Sequence, residues 1–358
     1  FGVNYTVAML VSAAVIVGYT IMGGFRAVST TDLIQSIVMT VALAVVVCFG
    51  VTKAGGMDAV MENARGLAGY FTMTASHDVA TGAAKPYGIL TIISTMAWGL
   101  GYFGMPHILL RFMAIKDEKK LVISRRIATI WVFIAMSVAI FIGVVGLAMT
   151  KAGELEVLEG SASETVIVKI AGLISQHGIL PAIVAGLILA GILAATMSTA
   201  DSQMLAAASS VSQNIVQEFF KVKLDEKKSL LIARVTIVLI SLIGVFLARD
   251  PNSSVFGIVS FAWAGFGGAF GAVTLCALFW KRSTRWGALA GMIGGGATVF
   301  IWKYAVRPLG GIWNIYELLP AFLVSLLLIV VVSLLTKAPD EAIRKEFEEA
   351  KAKKESKN

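Results

Sequence analysis

Long uninterrupted stretches of apolar residues constrain this chain more than any other feature. About nine of them are long enough to cross a bilayer whose hydrocarbon core is roughly 30 Å thick. The predicted spans are Tyr5–Gly23, Thr31–Val51, Gly88–Arg111, Ile127–Met149, Ile179–Ala207, Leu230–Ala248, Val255–Trp280, Trp286–Trp302 and Tyr316–Leu335. Only 15% of the residues are charged, against about a quarter in soluble domains. The sequence therefore predicts an all-α integral membrane protein.

The basic residues lie in short loops between the predicted spans. A net charge of +8 alone would also suit a nucleic-acid binder, but basic short loops are typical of the cytoplasmic side of membrane proteins. Arg111–Arg126, Lys221–Arg234 and Lys281–Arg285 alternate with the acidic segment Lys151–Glu164 and the turn Arg249–Ser254. Placing the basic loops in the cytoplasm predicts an external N-terminus and a cytoplasmic C-terminus.

Two segments are predicted to lie outside the membrane. Thr52–Tyr87 is an external loop that contains a weakly amphipathic stretch at Met57–Phe71. The tail after Pro339 pairs Glu and Lys at helical i,i+4 spacing. We expect this tail to form a solvated helix.

Polar groups within the fifth span are the first candidates for function, because such groups are costly in a membrane. Ala195, Ser198, Thr199 and Ser202 follow an i, i+3, i+4, i+7 spacing, which places them on one helix face. The face offers two adjacent hydroxyls and a carbonyl shielded only by a methyl group, which are suitable oxygens for a sodium ion. Alternatively, the hydroxyls bond to carbonyls one turn back, and the sequence leaves both interpretations open.

Two acidic residues also belong to predicted spans. Asp201 lies next to the hydroxyl face, and a carboxylate at this depth needs a counter-charge. Asp32 begins the second span after Ser29-Thr30-Thr31, where it is either a helix N-cap or part of an ion site.

Glycines and a proline interrupt the third span at Trp98–His107. They weaken the helix, and unwound backbone at membrane depth occurs only where it is buried in protein or lines a cavity. Trp98 and Tyr102, at i and i+4, are predicted to share one face as an apolar wall with a hydroxyl. A lipid-facing aromatic belt is the alternative.

The seventh span has a similar glycine-rich segment at Trp263–Gly271. Here Gly267 and Gly271 also fit a GxxxG packing face. Three further glycines in the eighth span are predicted to serve helix packing only: Gly287, Gly291 and Gly295.

Motifs of the common enzyme classes do not occur in this sequence. The histidines His77, His107 and His177 are scattered, and neither a Walker A loop, HExxH nor a paired-cysteine metal motif is present. Interrupted helices with hydroxyls and acids at membrane depth are instead typical of secondary transporters. We therefore predict a transporter, not an enzyme.

Four segments resemble the sodium/solute symporter family, and within it the branch of sodium/proline symporters. They are Gly23–Asp32, Trp98–Met113 (WGLGYFGMPHILLRFM), Leu193–Leu205 (LAATMSTADSQML) and Phe261–Gly271 (FAWAGFGGAFG). The resemblance covers essentially the whole chain, and Trp98–Met113 is the stretch that indicates the proline branch.

The resemblance implies a LeuT-like inverted-repeat transporter fold, in which two five-helix halves cross the membrane in opposite senses. Residues 1–52 would hold core helices four and five, 53–87 an extracytoplasmic loop, 88–282 core helices six to ten, 283–337 two accessory membrane helices and 338–358 a charged cytoplasmic tail. It also implies that one preceding helix and the first three core helices of the family are missing from the N-terminal side of this chain.

The implied function is sodium-coupled uptake of L-proline across the bacterial inner membrane by alternating access. The alternative is the same sodium-coupled mechanism with a different small organic solute. The expected partners are sodium, L-proline and the lipid bilayer, with no nucleic acid and no obligate protein partner.

The resemblance also assigns roles to individual residues. Ala195 through its carbonyl, and Ser198 and Thr199 through their hydroxyls, match sodium ligands, whereas Asp32 and Ser202 match a second ion site or an exit path. The residues expected to bind substrate or form a gate are Trp98, Tyr102, Phe261 and Trp263. The roles of Asp201 and Arg111 stay open.

Overall fold

The structure, a computed structural model, describes residues 3–78, 81–250 and 253–355. Its α-helices are α1 (Tyr5–Lys53), α2 (Met57–Gly66), α3 (Ile89–Gly101), α4 (Pro106–Met113), α5 (Lys119–Lys151), α6 (Val166–Ser175), α7 (Ile179–Ser209), α8 (Glu226–Leu247), α9 (Val255–Phe266), α10 (Ala272–Phe279), α11 (Arg285–Ile301), α12 (Leu318–Leu335) and α13 (Glu341–Glu355). Strands β1 (Ala75–His77) and β2 (Ala84–Pro86) pair antiparallel, with Ser76 opposite Lys85.

Among the described residues, 8 helices are long and apolar enough to cross a membrane, and 9 if the bent pair α3–α4 is counted as one span. These helices coincide with the nine predicted spans. The helix α1 contains two of them, Tyr5–Gly24 and Val28–Lys53. Gly24 separates the two with φ 60° and ψ −169°, a backbone conformation that glycine adopts readily.

The chain divides into two compact units, of which the first comprises residues 1–71, 79–83 and 114–254. One core of this unit joins the C-terminal half of α1 to α2, α5, α6 and α7 through fully buried side chains, among them Val46, Val60, Met149 and Ile170. A second, smaller cluster of Met204, Ala208 and Ile237 joins the N-terminal half of α1 to α7 and α8. The two clusters hold α7 against both halves of α1.

The second unit comprises residues 72–78, 84–113 and 255–358. Its third predicted span is broken as the sequence indicated, because α3 passes into a 3₁₀ turn at Tyr102–Gly104 and α4 begins at Pro106 with a bend of 49°. Proline has no N–H to donate to the preceding turn, so the helix cannot continue straight through it. The seventh predicted span stays continuous, as α9 and α10 are joined by a π-helical segment at Gly267–Gly271.

Glycines bring α3 and α9 into backbone contact. A Cβ atom on Gly104 would lie 2.4 Å from the carbonyl oxygen of Phe266, and one on Gly267 would lie 2.7 Å from the Cα of Gly101. A Cβ on Gly271 would meet the Phe322 ring at 2.9 Å. The packing interpretation of Gly267 and Gly271 is therefore confirmed.

The glycines of α11 pack against α12 and the π-helical segment. Added Cβ atoms would lie 2.0 Å from Ser333 Oγ at Gly287, 2.4 Å from Ile329 Cγ1 at Gly291 and 2.1 Å from the carbonyl oxygen of Gly268 at Gly295. Their predicted role in helix packing is confirmed.

Residues outside the spans contain more structure than the sequence indicated. The loop predicted at Thr52–Tyr87 contains the helix α2 and the β1–β2 hairpin. Each strand has only three residues, which is too short to produce a recognisable alternating pattern. The tail forms the predicted charged helix α13, with an ion pair of 3.9 Å between Lys345 and Glu349.

A pair of neighbouring glycines tests the packing of α11. We expect Gly295→Ala to lower the free energy of unfolding by about 1–3 kcal/mol, because the new methyl group meets fixed backbone at Gly268. Gly296→Ala is the matched control, since its Cβ would lie 3.8 Å from Ala269 Cβ. Thermal unfolding of the detergent-solubilised variants measures both changes, and equal melting temperatures would contradict the packing described here.

Candidate functional site

The predicted hydroxyl face lies on a continuous stretch of α7. The Ser198 hydroxyl donates to the Ala195 carbonyl at 3.0 Å, and the Thr199 hydroxyl donates to the same carbonyl at 3.4 Å. The Ser202 hydroxyl donates to the Ser198 carbonyl at 2.8 Å. These are the bonds to the preceding turn that the sequence offered as an alternative to an ion site.

These bonds leave acceptor capacity on the hydroxyl oxygens. Each hydroxyl has one hydrogen and two lone pairs, so donating to a carbonyl does not use the lone pairs. The oxygens of Ser198 and Thr199 lie within 3.4 Å of the Ala195 carbonyl oxygen. Two hydroxyl oxygens with free lone pairs therefore lie beside one carbonyl oxygen that accepts both of their hydrogens, and neutral oxygens are the type of ligand that a hard cation accepts.

Asp201 is buried next to this face with 0% exposure. Its Oδ2 accepts a hydrogen bond of 2.7 Å from the Tyr19 hydroxyl, and its Oδ1 lies 3.3 Å from the Ser202 hydroxyl, which shares its one hydrogen with the nearer Ser198 carbonyl. Within the described part of the chain neutral hydroxyls contact its carboxyl group, chiefly that of Tyr19 on α1, and the counter-charge expected for Asp201 stays a prediction. The surrounding cluster of Met204, Ala208 and Ile237 is apolar.

Asp32 lies within a helix and does not cap one. The second half of α1 is helical from Val28 onward, so Asp32 falls in its second turn and the N-cap interpretation was wrong. Asp32 lies on the second half of α1, in the same unit as Asp201.

Close packing of α1 on α7 positions these groups. A Cβ on Gly191 would lie 3.4 Å from Ala42 Cβ and 3.7 Å from the Cα of Met39, so the helices approach closely there. About three turns further along α7, Tyr19 reaches Asp201 from the other half of α1. Sequence reasoning missed Tyr19, because a single tyrosine in an apolar span carries no distinctive signal.

The second unit contains a cluster of aromatic rings around Trp98. The Trp98 ring stacks on Phe256 at 5.5 Å, on Trp263 at 5.7 Å and on Tyr316 at 5.7 Å between centroids. Tyr102 meets Trp263 edge-on at 4.7 Å. Trp98 and Tyr102 therefore share a face, as the i,i+4 spacing predicted, and that face packs on protein.

Trp263 also contacts the broken helix through a hydrogen bond. Its Nε1 donates to the Trp98 carbonyl at 2.9 Å, and its indole covers Gly101, where a Cβ would lie 2.0 Å from Nε1. Where a helix breaks, a carbonyl loses the backbone N–H four residues further along that it would otherwise accept from. The Trp263 indole supplies a replacement donor for the Trp98 carbonyl.

Phe261 packs against the same buried cluster as Trp98, but its ring has different ring partners. Within the described residues its ring partners are Phe300 at 5.3 Å and Tyr304 at 5.9 Å, and the Lys303 ammonium lies 4.0 Å above its centroid. Phe261 and Trp263 are two positions apart, which on a helix turns their side chains about 200° apart. The rings of three aromatic candidates therefore contact one another, whereas the ring of Phe261 contacts Phe300 and Tyr304.

The residues that hold the Trp98 cluster in place were missed from sequence. The Tyr316 hydroxyl donates to the Ser260 carbonyl at 2.6 Å. Next to it Glu317, 1% exposed, pairs with Arg307 at 2.8 Å and Lys303 at 3.9 Å. These charged residues flank the ends of predicted spans, where a sequence pattern does not distinguish a buried ion pair from a solvated one.

Removing the Tyr19 hydroxyl tests the Asp201 contact. We expect Tyr19→Phe to lower the free energy of unfolding by about 1–3 kcal/mol, because it leaves a buried carboxyl oxygen without its donor. Tyr5→Phe is the matched control, since it removes an exposed hydroxyl that bonds to the Ala248 carbonyl. Thermal unfolding with equal shifts for the two variants would contradict a buried Tyr19–Asp201 bond.

Comparison with known proteins gives the family. The profile of the Sodium:solute symporter family matches residues 1–295. The osmoregulated proline transporter OpuE of Bacillus subtilis is 37% identical over 96% of this chain and 66% of its own length, and a sodium/proline symporter of Haemophilus influenzae is 39% identical over 100% of this chain and 69% of its own length. The chain spans about two thirds of the length of these curated relatives.

A solved structure shares the fold at low sequence identity. It is the substrate-bound outward-open state of a Na⁺-coupled sialic acid symporter, which aligns with a TM-score of 0.72 at 15% identity over 95% of this chain and 69% of that chain. This similarity confirms the all-α, LeuT-like transporter fold. The chain is a multi-pass membrane protein, and it belongs to the sodium:solute symporter family.

Proposed function

We propose that this chain takes part in the sodium-coupled uptake of L-proline across a bacterial inner membrane by alternating access, and that it does so as a transporter and not as an enzyme. The observation that carries the proposal is the convergence of the Ser198 and Thr199 oxygens on the Ala195 carbonyl oxygen. The family supports sodium as the coupling ion.

In this proposal, Ala195, Ser198 and Thr199 are the α7 ligands of the sodium ion. They hold it through one carbonyl and two hydroxyls, whose hydrogens already point toward the preceding turn. Asp32 and Ser202 contribute to a second ion site or to the exit path. Because its ligands are neutral, the first site keeps the positive charge of the ion, so the membrane potential adds about 2.3 kcal/mol per charge per 100 mV to inward movement.

The aromatic cluster suits the chemistry of proline. A pyrrolidine ring is apolar and packs well on an indole or phenol face, and its ammonium group is attracted to the same faces. We assign substrate contact or gating to Trp98, Tyr102 and Trp263, and to Phe261 at the α11 side of α9. The names of the relatives, which are proline transporters and sodium/proline symporters, support this choice of solute.

We further assign the parts of the chain to the family's architecture. Residues 1–52 supply core helices four and five, 53–87 an extracytoplasmic loop, 88–282 core helices six to ten, and 283–337 two accessory helices. The basic loops lie in the cytoplasm together with the tail at 338–358. Coupling requires sodium and proline to raise each other's affinity by the same factor.

Three neighbouring hydroxyl variants test the sodium assignment. We expect Ser198→Ala and Thr199→Ala to raise the half-saturating sodium concentration of proline uptake tenfold or more, since a polar contact to a charged group contributes about 1.5–3 kcal/mol. Maximal proline binding at saturating sodium should change little. Thr196→Ala is the matched control, because its exposed hydroxyl bonds to the Ile192 carbonyl away from this face.

The measurement is uptake of labelled proline into vesicles by the natural full-length protein, at graded sodium concentrations. Sodium dependence that is identical in Ser198→Ala, Thr199→Ala and Thr196→Ala would overturn the ion site. Sodium-dependent uptake of another small organic solute, with no uptake of proline, would retain the ion site and replace the substrate.

An aromatic variant tests the substrate assignment. We expect Trp98→Ala to raise the KM for proline at least tenfold while leaving the half-saturating sodium concentration within about twofold, because the ligand loses apolar contact with the indole and an attraction of its ammonium group to the indole face of about 0.5–2 kcal/mol. Trp131→Ala is the control, a tryptophan on α5 whose indole bonds to the Thr40 hydroxyl. Unchanged KM in the Trp98 variant would remove this residue from the substrate site.

A further inference from the structure

A cavity of about 660 Å³ lies at one end of the second unit. Three apolar helices meet there, since α10 ends at Phe279, α11 begins at Arg285 and α12 ends at Leu335. The tail helix α13 closes the far side through Ile343 and Phe347. The cavity therefore lies at the ends of three helices that belong to candidate membrane spans, which is where lipid headgroups meet a membrane protein.

Basic side chains line this cavity. Lys281, Arg285 and Lys337 contribute three cations from three different segments, and Asp340 is the acidic residue among the lining side chains. Lys281 also pairs with the exposed Glu348 on α13 at 3.0 Å. Counting both carboxylates, the cations still outnumber the acids, so the cavity favours an anion.

A fourth cation is used by the protein itself. The Arg282 guanidinium donates to the carbonyls of Thr336 at 2.8 Å and Leu334 at 3.5 Å. These bonds hold the end of α12 beside the α10–α11 turn. The turn is also held by Thr284, whose backbone N–H donates to the Ser333 hydroxyl at 3.1 Å. These bonds fix the backbone segments that carry the three lining cations.

Apolar groups next to the cations indicate what kind of anion fits. Trp280 and Trp286 line the cavity, and tryptophans concentrate at the membrane–water interface. On the membrane side, Leu278, Phe279 and Leu335 expose 62%, 70% and 82% of their surfaces. A soluble anion would gain nothing from these side chains, whereas a phospholipid would cover them with its acyl chains.

We propose that this cavity binds the phosphate headgroup of an anionic phospholipid. Lys281, Arg285 and Lys337 contact the phosphate, and the exposed apolar side chains of α10 and α12 accommodate the acyl chains. Basic pockets between membrane helices are known to accept such headgroups. The tail helix forms one wall, so lipid binding would also fix α13 against the membrane end of the unit.

The test measures lipid binding to the purified natural protein by native mass spectrometry. Phosphatidylglycerol is the probe, phosphatidylcholine the zwitterionic comparison and inorganic phosphate the soluble comparison. Each basic residue near an anionic lipid surface contributes about 1 kcal/mol, or about fivefold in affinity. We therefore expect the triple variant Lys281→Gln, Arg285→Gln, Lys337→Gln to bind phosphatidylglycerol on the order of a hundredfold more weakly.

A matched triple variant controls for the change in total charge. Lys116→Gln, Lys119→Gln and Lys120→Gln remove three exposed cations from the segment before and at the start of α5; we expect them to leave the affinity within about threefold. Lys337→Gln alone alters one side chain beyond the end of α12 and serves as the test if the triple variant fails to fold. We expect it to lower the affinity for phosphatidylglycerol about fivefold.

Three results would overturn the proposal. They are equal binding of phosphatidylcholine and phosphatidylglycerol, equal losses in the cavity and control triple variants, and inorganic phosphate that displaces the lipid at comparable concentration. The last result would identify the cavity as a site for soluble phosphate. Unchanged affinity in Lys337→Gln would remove that residue from the site and contradict the arrangement described here.

Discussion

Backbone contact between helices at glycine is the constraint on which the second unit depends. Gly101 and Gly267 let α3 and α9 touch at a distance that no side chain permits, and Gly295 does the same for α11 against the carbonyl of Gly268. In lipid there is no hydrophobic gain from bringing apolar helices together, so close packing and internal hydrogen bonds must hold them. The broken helix is stable in this setting because Trp263 both covers Gly101 and donates to the Trp98 carbonyl.

The same requirement explains the polar groups of the first unit. Hydroxyls at membrane depth need partners, and Ser198, Thr199 and Ser202 find them in carbonyls of their own helix. This leaves lone pairs on one face without any exposed, unsatisfied hydrogen. Such a face is stable without a bound ion, because every hydroxyl hydrogen has an acceptor, and its lone pairs still suit a cation. A carrier that binds and releases an ion needs both properties.

The spans, the break before Pro106 and the packing glycines could be predicted from the sequence, because each depends on which residues occur within a short stretch of chain. The sequence was also sufficient to place the hydroxyls on one face, since helical periodicity alone decides this. It did not identify Tyr19 as the partner of Asp201, because that contact joins residues 182 positions apart and depends on how α1 packs on α7. The N-cap interpretation of Asp32 failed for a related reason: α1 resumes directly after the break at Gly24, so Asp32 lies inside the helix and not at its start.

The two buried carboxylates differ in a way that follows from their partners. Glu317 lies between Arg307 and Lys303, and removing either cation leaves an uncompensated charge, so this contact is a fixed part of the second unit. Asp201 accepts hydrogen bonds from the hydroxyls of Tyr19 and Ser202, which are neutral groups that water can replace without separating charges. The energetic cost of breaking the Asp201 contacts is therefore lower than the cost of breaking those of Glu317. The proposed mechanism, in which the protein alternates between states, needs permanent contacts within a moving part and exchangeable ones near the ion site, and the Asp201 contacts lie beside the hydroxyl face of α7 that is assigned to that site.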